Sequence, residues 1–127
     1  MHSGANALLI ARPGRLSDGW QALLLATPWI AGVKQAHDTS SALEALPSLG
    51  PDVVLLDTDA FGDVTWALLG QIKAEALPCY CIALIDSDRQ RPKALALGAD
   101  AVLVKGFSAE QLSTAVEGLL ARRERAE

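Results

Sequence analysis

The sequence predicts an α/β protein, a (βα)5 doubly wound sheet of five parallel strands. Short continuous apolar runs alternate strictly with amphipathic stretches, five of each. The runs lack an apolar–polar alternation, so both faces of each strand are expected under helices. The chain of 127 residues suits one such domain and shows no internal repeat or linker.

The elements follow in order. Ala7–Ala11 is an apolar run read as a buried strand, and Arg12-Pro13-Gly14 breaks it. Leu16, Trp20, Leu23 and Leu24 recur on one helical face, and Pro28 ends that helix. Trp29–Ala36 is a weaker strand. Ser41 and Glu44 have capping-box spacing for a short helix through Ala42, Leu43 and Leu46, which Pro47 and Gly50-Pro51 close. Asp52–Asp57 is the clearest strand, with four apolar residues between two acids. Thr58–Asp63 is a loop. Leu68, Leu69 and Ile72 mark a helix ended by Pro78. Cys79–Ile85 is a strand and Asp86-Ser87-Asp88 a polar loop. A short helix follows, with Pro92 near its start and Gly98 just past its end. Ala101–Val104 is the fifth strand. Ser108 and Gln111 form a capping box for a last helix whose apolar face is Leu112, Ala115, Val116, Leu119 and Leu120. Residues 6–121 are the expected core of a single domain spanning 1–127, and 122–127 read as a tail or the start of a linker. Met1–Gly4 reads in part as a cloning remnant and is left out of the fold reading.

Composition narrows the function. Ala and Leu, 22 and 21 residues, make up a third of the chain, and half of all residues are hydrophobic, which excludes disorder. The net charge of −4 gives no reason to bind nucleic acid or an anionic membrane. No apolar run is long enough to span a bilayer. No charged segment followed by an apolar one opens the chain, which predicts a cytoplasmic protein. Residues 1–64 hold three basic against seven acidic side chains, and several of those carboxylates crowd between Asp52 and Asp63. The basic run Arg122, Arg123 and Arg125 alternates with acids and reads as a solvated helix end. Cys79 and Cys81 share one strand face and read as small buried hydrophobes, since no His or Cys cluster completes a metal site. Trp20 reads as core; Trp29 and Trp66 read as packing residues, or as a partner surface if exposed. His2 is terminal and His37 a loop residue.

In a doubly wound sheet, function gathers where strands end, beside the switch in strand order. Those ends are Ala11-Arg12, His37-Asp38, Asp57-Thr58-Asp59, Ala83–Asp88 and Lys105-Gly106.

These positions resemble the receiver domain of two-component response regulators, CheY-like and closest in pattern to LuxR/NarL-type receivers. Pro51–Asp57 looks like the third strand with its phospho-accepting aspartate. Gly98–Lys105 looks like the fifth with its phosphate-contacting lysine. The resemblance implies a flavodoxin-like sheet in strand order 2-1-3-4-5. It implies that Asp57 attacks the phosphorus of a phosphohistidine or acyl phosphate to give an aspartyl phosphate. It also implies a Mg²⁺ held by an acidic pair after the first strand, by Asp57 and by the Asp59 carbonyl.

The sequence departs from that pattern. Ala11 and Arg12 stand where the acidic pair belongs, and neither ligates Mg²⁺. The fourth-strand hydroxyl falls on Ala83, or on Ile85 if the strand is longer. The fifth-strand aromatic is Val102. The proline four residues past Asp57 is Phe61. Asp57, Lys105 and the Asp59 carbonyl remain. The expectation is a degenerate, phosphorylation-independent receiver without a metal, in which Arg12 and Lys105 contact the Asp57 carboxylate, Arg12 directly or through water. It would act through a histidine kinase, an output domain or a second copy. The surface would be the fourth-helix, fifth-strand and fifth-helix face, with Lys93, Leu97 and Val102. The helix between Asp88 and Gly98 is expected to be abbreviated. No enzymatic activity beyond phosphorylation and dephosphorylation at Asp57 is expected. One alternative is a working phospho-acceptor that binds Mg²⁺ through Asp57 and Asp59. A remote one is a haloacid-dehalogenase-like phosphatase built on Asp57-Thr58-Asp59, against which stand the strand's place in the chain and the want of a downstream acidic metal motif.

Overall fold

The computed structural model describes residues 4–75 and 79–126. Its strands are β1 (Ala5–Ile10), β2 (Ile30–Ala36), β3 (Val53–Asp57), β4 (Tyr80–Ile85) and β5 (Ala101–Val104). Its helices are α1 (Arg15–Ala26), α2 (Thr39–Leu49), α3 (Asp63–Ala74), α4 (Arg91–Ala96) and α5 (Ala109–Ala126), with a 3₁₀ turn at Asp88–Gln90 leading into α4. All strand pairs are parallel and the order is β2-β1-β3-β4-β5. The doubly wound sheet is as the alternation predicts.

Strand side chains alternate between two cores. Leu8, Ile10, Val54, Leu56, Cys81 and Ile85 face α2, α3 and α4. Ala7, Leu9, Val53, Leu55, Ile82 and Leu84 face α1 and α5. Both β3 faces are fully buried, which is why its four apolar residues run without interruption. Trp20 lies in the second core, Trp29 packs against it, and Trp66 packs against the first. Lys93 caps the Trp66 ring with its ammonium 4.3 Å from the centroid.

Several local readings need correction. Leu16 points outward and is 68% exposed; the inward face of α1 is Ser17, Trp20 and Leu24. Ser17 can point inward because its hydroxyl donates to the Gly14 carbonyl. The cap of α2 is Asp38, not Ser41: the Asp38 carboxylate accepts the Ser41 hydroxyl and, at 2.7 Å, the Ser41 amide, and these two bonds hold its pKa below the usual value. Pro47 does not end α2. It sits in the last turn, where its missing amide costs one bond, and Gly50 in the left-handed region closes the helix. Pro78 and His2 lie outside the described residues.

Other local readings hold. Ser108 and Gln111 bond reciprocally, each side chain to the other's amide, at 3.1 and 2.8 Å. The helix α4 is short, with Pro92 in its first turn. It ends in a Schellman motif, Ala99 N–H to Ala94 and Gly98 N–H to Leu95. Gly98 has φ +106, and a Cβ there would sit 2.9 Å from the Lys73 stem. Its bare backbone lets Lys73 pass on the way to Asp100, to which it bonds at 2.7 Å.

The helix α5 runs on through Ala126. The Arg123 guanidinium pairs with Asp52, whose other oxygen accepts the Asn6 amide at 2.8 Å. Arg122 lies over the Tyr80 ring, 5.7 Å from its centroid. The last turn of α5 is thereby tied to the N-terminal ends of β1, β3 and β4. Asp52→Ala is expected to cost about 1 kcal/mol in a denaturant titration, since the pair is part-exposed.

Candidate functional site

The C-terminal ends of β3, β4 and β5 bring Asp57, Asp86 and Lys105 together. Asp57 is the last residue of β3, and its side chain is 12% exposed. The turn after it is fixed by its own backbone: Ala60 N–H donates to the Asp57 carbonyl, and Thr58 bonds the Leu84 carbonyl through both amide and hydroxyl. Thr58 is 2% exposed and locks the β3 end to β4. The Phe61 amide donates to Thr65 Oγ1 at 2.9 Å, a bond that a proline at this position could not make.

Lys105 follows β5, and its amide donates to the Ile85 carbonyl at 2.8 Å. Its ammonium lies 2.7 Å from Asp57 Oδ1, 2.9 Å from Asp86 Oδ1 and 4.0 Å from Asp59 Oδ2. Asp57 Oδ1 also accepts the Asp59 amide at 3.1 Å. Burial pulls the Lys105 pKa down, but the bonds to Asp57 and Asp86 and their charges outweigh it and leave the pKa raised. The ammonium is a permanent cation shared between two loops.

The structure thus brings Asp57 and Lys105 together and adds Asp86. Ala83 and Ile85, the two expected positions of the fourth-strand hydroxyl, are fully buried in the core beneath α2, α3 and α4. The residue after β4 that meets Lys105 is Asp86, a carboxylate. Its amide donates to Gln90 Oε1 at 2.8 Å, which fixes the start of the turn. In the sequence, Asp86 reads as one acid of a polar loop; the register of β4 against β5 gives it its place.

Arg12 does not make the direct pair with Asp57. Its side chain is exposed, and among the described residues it forms no ion pair. Asp57 Oδ1 is already taken by Lys105 and the Asp59 amide. Arg12 lies instead along a cleft that Asp57 also borders. Arg12→Ala is therefore expected to leave the midpoint of thermal unfolding within about 2 °C of the parent. Ala11 is buried, and its carbonyl accepts from His37 Nδ1 at 3.0 Å, so His37 ties the end of β2 to the end of β1. Val102 is buried at 9% and belongs to the core, not to an outer face; the large hydrophobic side chain that α4 exposes is Leu95, at 50%.

The donors do not suit Mg²⁺. β1 is followed by a methyl and a guanidinium, and the Asp57 carboxylate is bonded to an ammonium. Among the described residues, no three His, Cys, Asp or Glu side chains gather where they could hold a metal ion. The two thiols are buried and unpaired in disulfides, and desolvation pushes the pKa of both up, so neither is a ready ligand or nucleophile.

No family model matches the chain, and no curated protein matches it. Solved structures do. The signal receiver domain of the DNA-binding response regulator merR from Colwellia psychrerythraea is 23% identical, with 92% of this chain and 98% of that one covered and a TM-score of 0.81. A LuxR-family two-component response regulator from Aurantimonas sp. is 21% identical over 98% of this chain and 100% of that one, at 0.83. The receiver domain of the Francisella response regulator 1452 is 21% identical over 94% and 99%, at 0.78. The fold is that of a response-regulator receiver domain. Within the receiver fold, β3 and β5 carry an aspartate and a lysine in contact at their C-terminal ends, while the loop after β1 carries Arg12. Among the described residues no helix is long and apolar enough to cross a membrane.

Proposed function

We propose that this chain is a receiver-fold signalling module that works by protein–protein contact and does not depend on phosphorylation. The observation that carries the reading is the Lys105 ammonium, held between Asp57 at 2.7 Å and Asp86 at 2.9 Å. Phosphoryl transfer to a carboxylate needs cations that draw an anion toward another anion. Here the cation nearest Asp57 is already saturated by carboxylates. Asp86 and Asp59 add negative charge where a phosphoryl group would enter, and the residues after β1 cannot supply a metal in compensation.

Asp57 is on this reading an ion-pair partner and not a nucleophile. The partner class is a histidine kinase, an output domain or a second copy of the chain, as for other receiver folds. A phosphatase reading built on Asp57-Thr58-Asp59 has no support from a fold shared end to end with receivers.

The test is intact-protein mass after incubation with acetyl phosphate, with and without Mg²⁺, beside an Asp57→Asn control. No adduct is expected under conditions that modify an ordinary receiver. An adduct that requires both Mg²⁺ and Asp57 overturns the reading and makes the domain a working phospho-switch.

A further inference from the structure

We infer that the cleft between the β1–α1 loop and the end of β3 binds a small organic anion, one phosphate or carboxylate group on an apolar body. The cleft holds about 370 Å³ and is bordered by Arg12, Pro13, Arg15, Leu16, Trp20 and Asp57. That volume is in the range of small-molecule sites. The inference does not rest on the phosphorylation state of Asp57.

The position favours a ligand. β1 has β2 on one side and β3 on the other, and the chain leaves it in opposite directions. Open α/β sheets form a crevice outside the strand ends at such a switch.

The lining favours an anion. Arg12 and Arg15 are exposed along the cleft, and neither forms an ion pair among the described residues. Arg12 in the loop and Arg15 at the start of α1 are thus two guanidiniums without carboxylate partners among the described residues, in a chain of net charge −4. A guanidinium presents a rigid fork of donors that matches a phosphate or carboxylate edge. The one carboxylate in the cleft is Asp57, and it is paired with Lys105, which does not line the cleft. Asp57 leaves the arginines free, and its charge disfavours a second anionic group on the same ligand.

The lining also favours an apolar body. Pro13, Leu16 and Trp20 supply its apolar side chains. Leu16 is 68% exposed and takes no part in the inward face of α1. Contact with a ligand would remove that side chain from water.

The experiment titrates the full chain with phenyl phosphate, benzoate and inorganic phosphate, followed by calorimetry and amide chemical shifts. The expected result is saturable binding of phenyl phosphate or benzoate, about tenfold tighter than inorganic phosphate, with shifts centred on residues 12–20. Whichever of the two binds more tightly identifies the anionic group. The Arg12→Ala/Arg15→Ala variant is expected to melt at the parent temperature and to lose at least about tenfold in affinity. Leu16→Ser is expected to weaken the aromatic ligands and leave inorganic phosphate unchanged. Absence of saturable binding at millimolar ligand overturns the inference. So does equal affinity in the parent and the double-arginine variant, or a shift map centred elsewhere.

Discussion

Lys105→Met is expected to lower the unfolding free energy by about 3 kcal/mol at neutral pH. The methionine keeps most of the buried stem and removes only the ammonium. Asp57 then keeps a carboxylate that is 12% exposed, with only the Asp59 amide bonded to it. Asp86 and Asp59 face it with no cation between them. The effect has a pH signature. The Lys105 pKa is raised in the folded state. Its contribution is therefore complete below the unfolded lysine value of about 10.4 and is lost as pH rises through the higher folded value. The gap to the parent therefore closes in strong alkali. Urea titrations of parent and variant from pH 7 to 12 measure this. A constant gap across that range refutes the charge-cluster account and leaves Lys105 a packing residue.

Asp100→Ala is expected to cost a further large amount, about 3 kcal/mol, at a place far from the strand ends just discussed. Asp100 Oδ2 accepts from both the Lys73 ammonium at 2.7 Å and the Cys81 amide at 2.8 Å. Cys81 is fully buried, so the truncation leaves its amide without a partner in the core. Lys73 keeps only its bond to the Cys79 carbonyl. Asp100→Asn retains an acceptor for the amide and is expected to cost about 1 kcal/mol. A double-mutant cycle with Lys73→Met separates the ion pair from the amide bond. If Asp100→Asn is as damaging as Asp100→Ala, the charge and not the buried amide dominates.

The two sites differ in how far they can be read from the chain. Asp57 and Lys105 are legible because each closes an apolar strand, and strand ends are the functional rim of a doubly wound sheet. Asp86 and Asp100 are not legible. Each reads as a loop acid, and only the neighbouring strand shows what it bonds. Arg12 marks the opposite error. Its charge and its place after β1 point to Asp57, but Lys105 reaches the carboxylate first, and the guanidinium stays along the cleft. At the far end, Arg123 reads as one charge in a solvated run, although its partner Asp52 lies 71 residues away.

The amino-acid order by itself determined the alternation of strands and helices, the burial of both sheet faces, the reciprocal Ser108–Gln111 cap and the shortness of α4. These depend on periodicity and on neighbours within a few residues, which the chain carries locally. The tertiary structure decided which face of α1 turns inward, that α2 passes through Pro47, and which carboxylates share Lys105. Those outcomes depend on the parallel register of β4 on β5 and on competition between distant groups for one partner. Only the folded chain holds those groups at bonding distance.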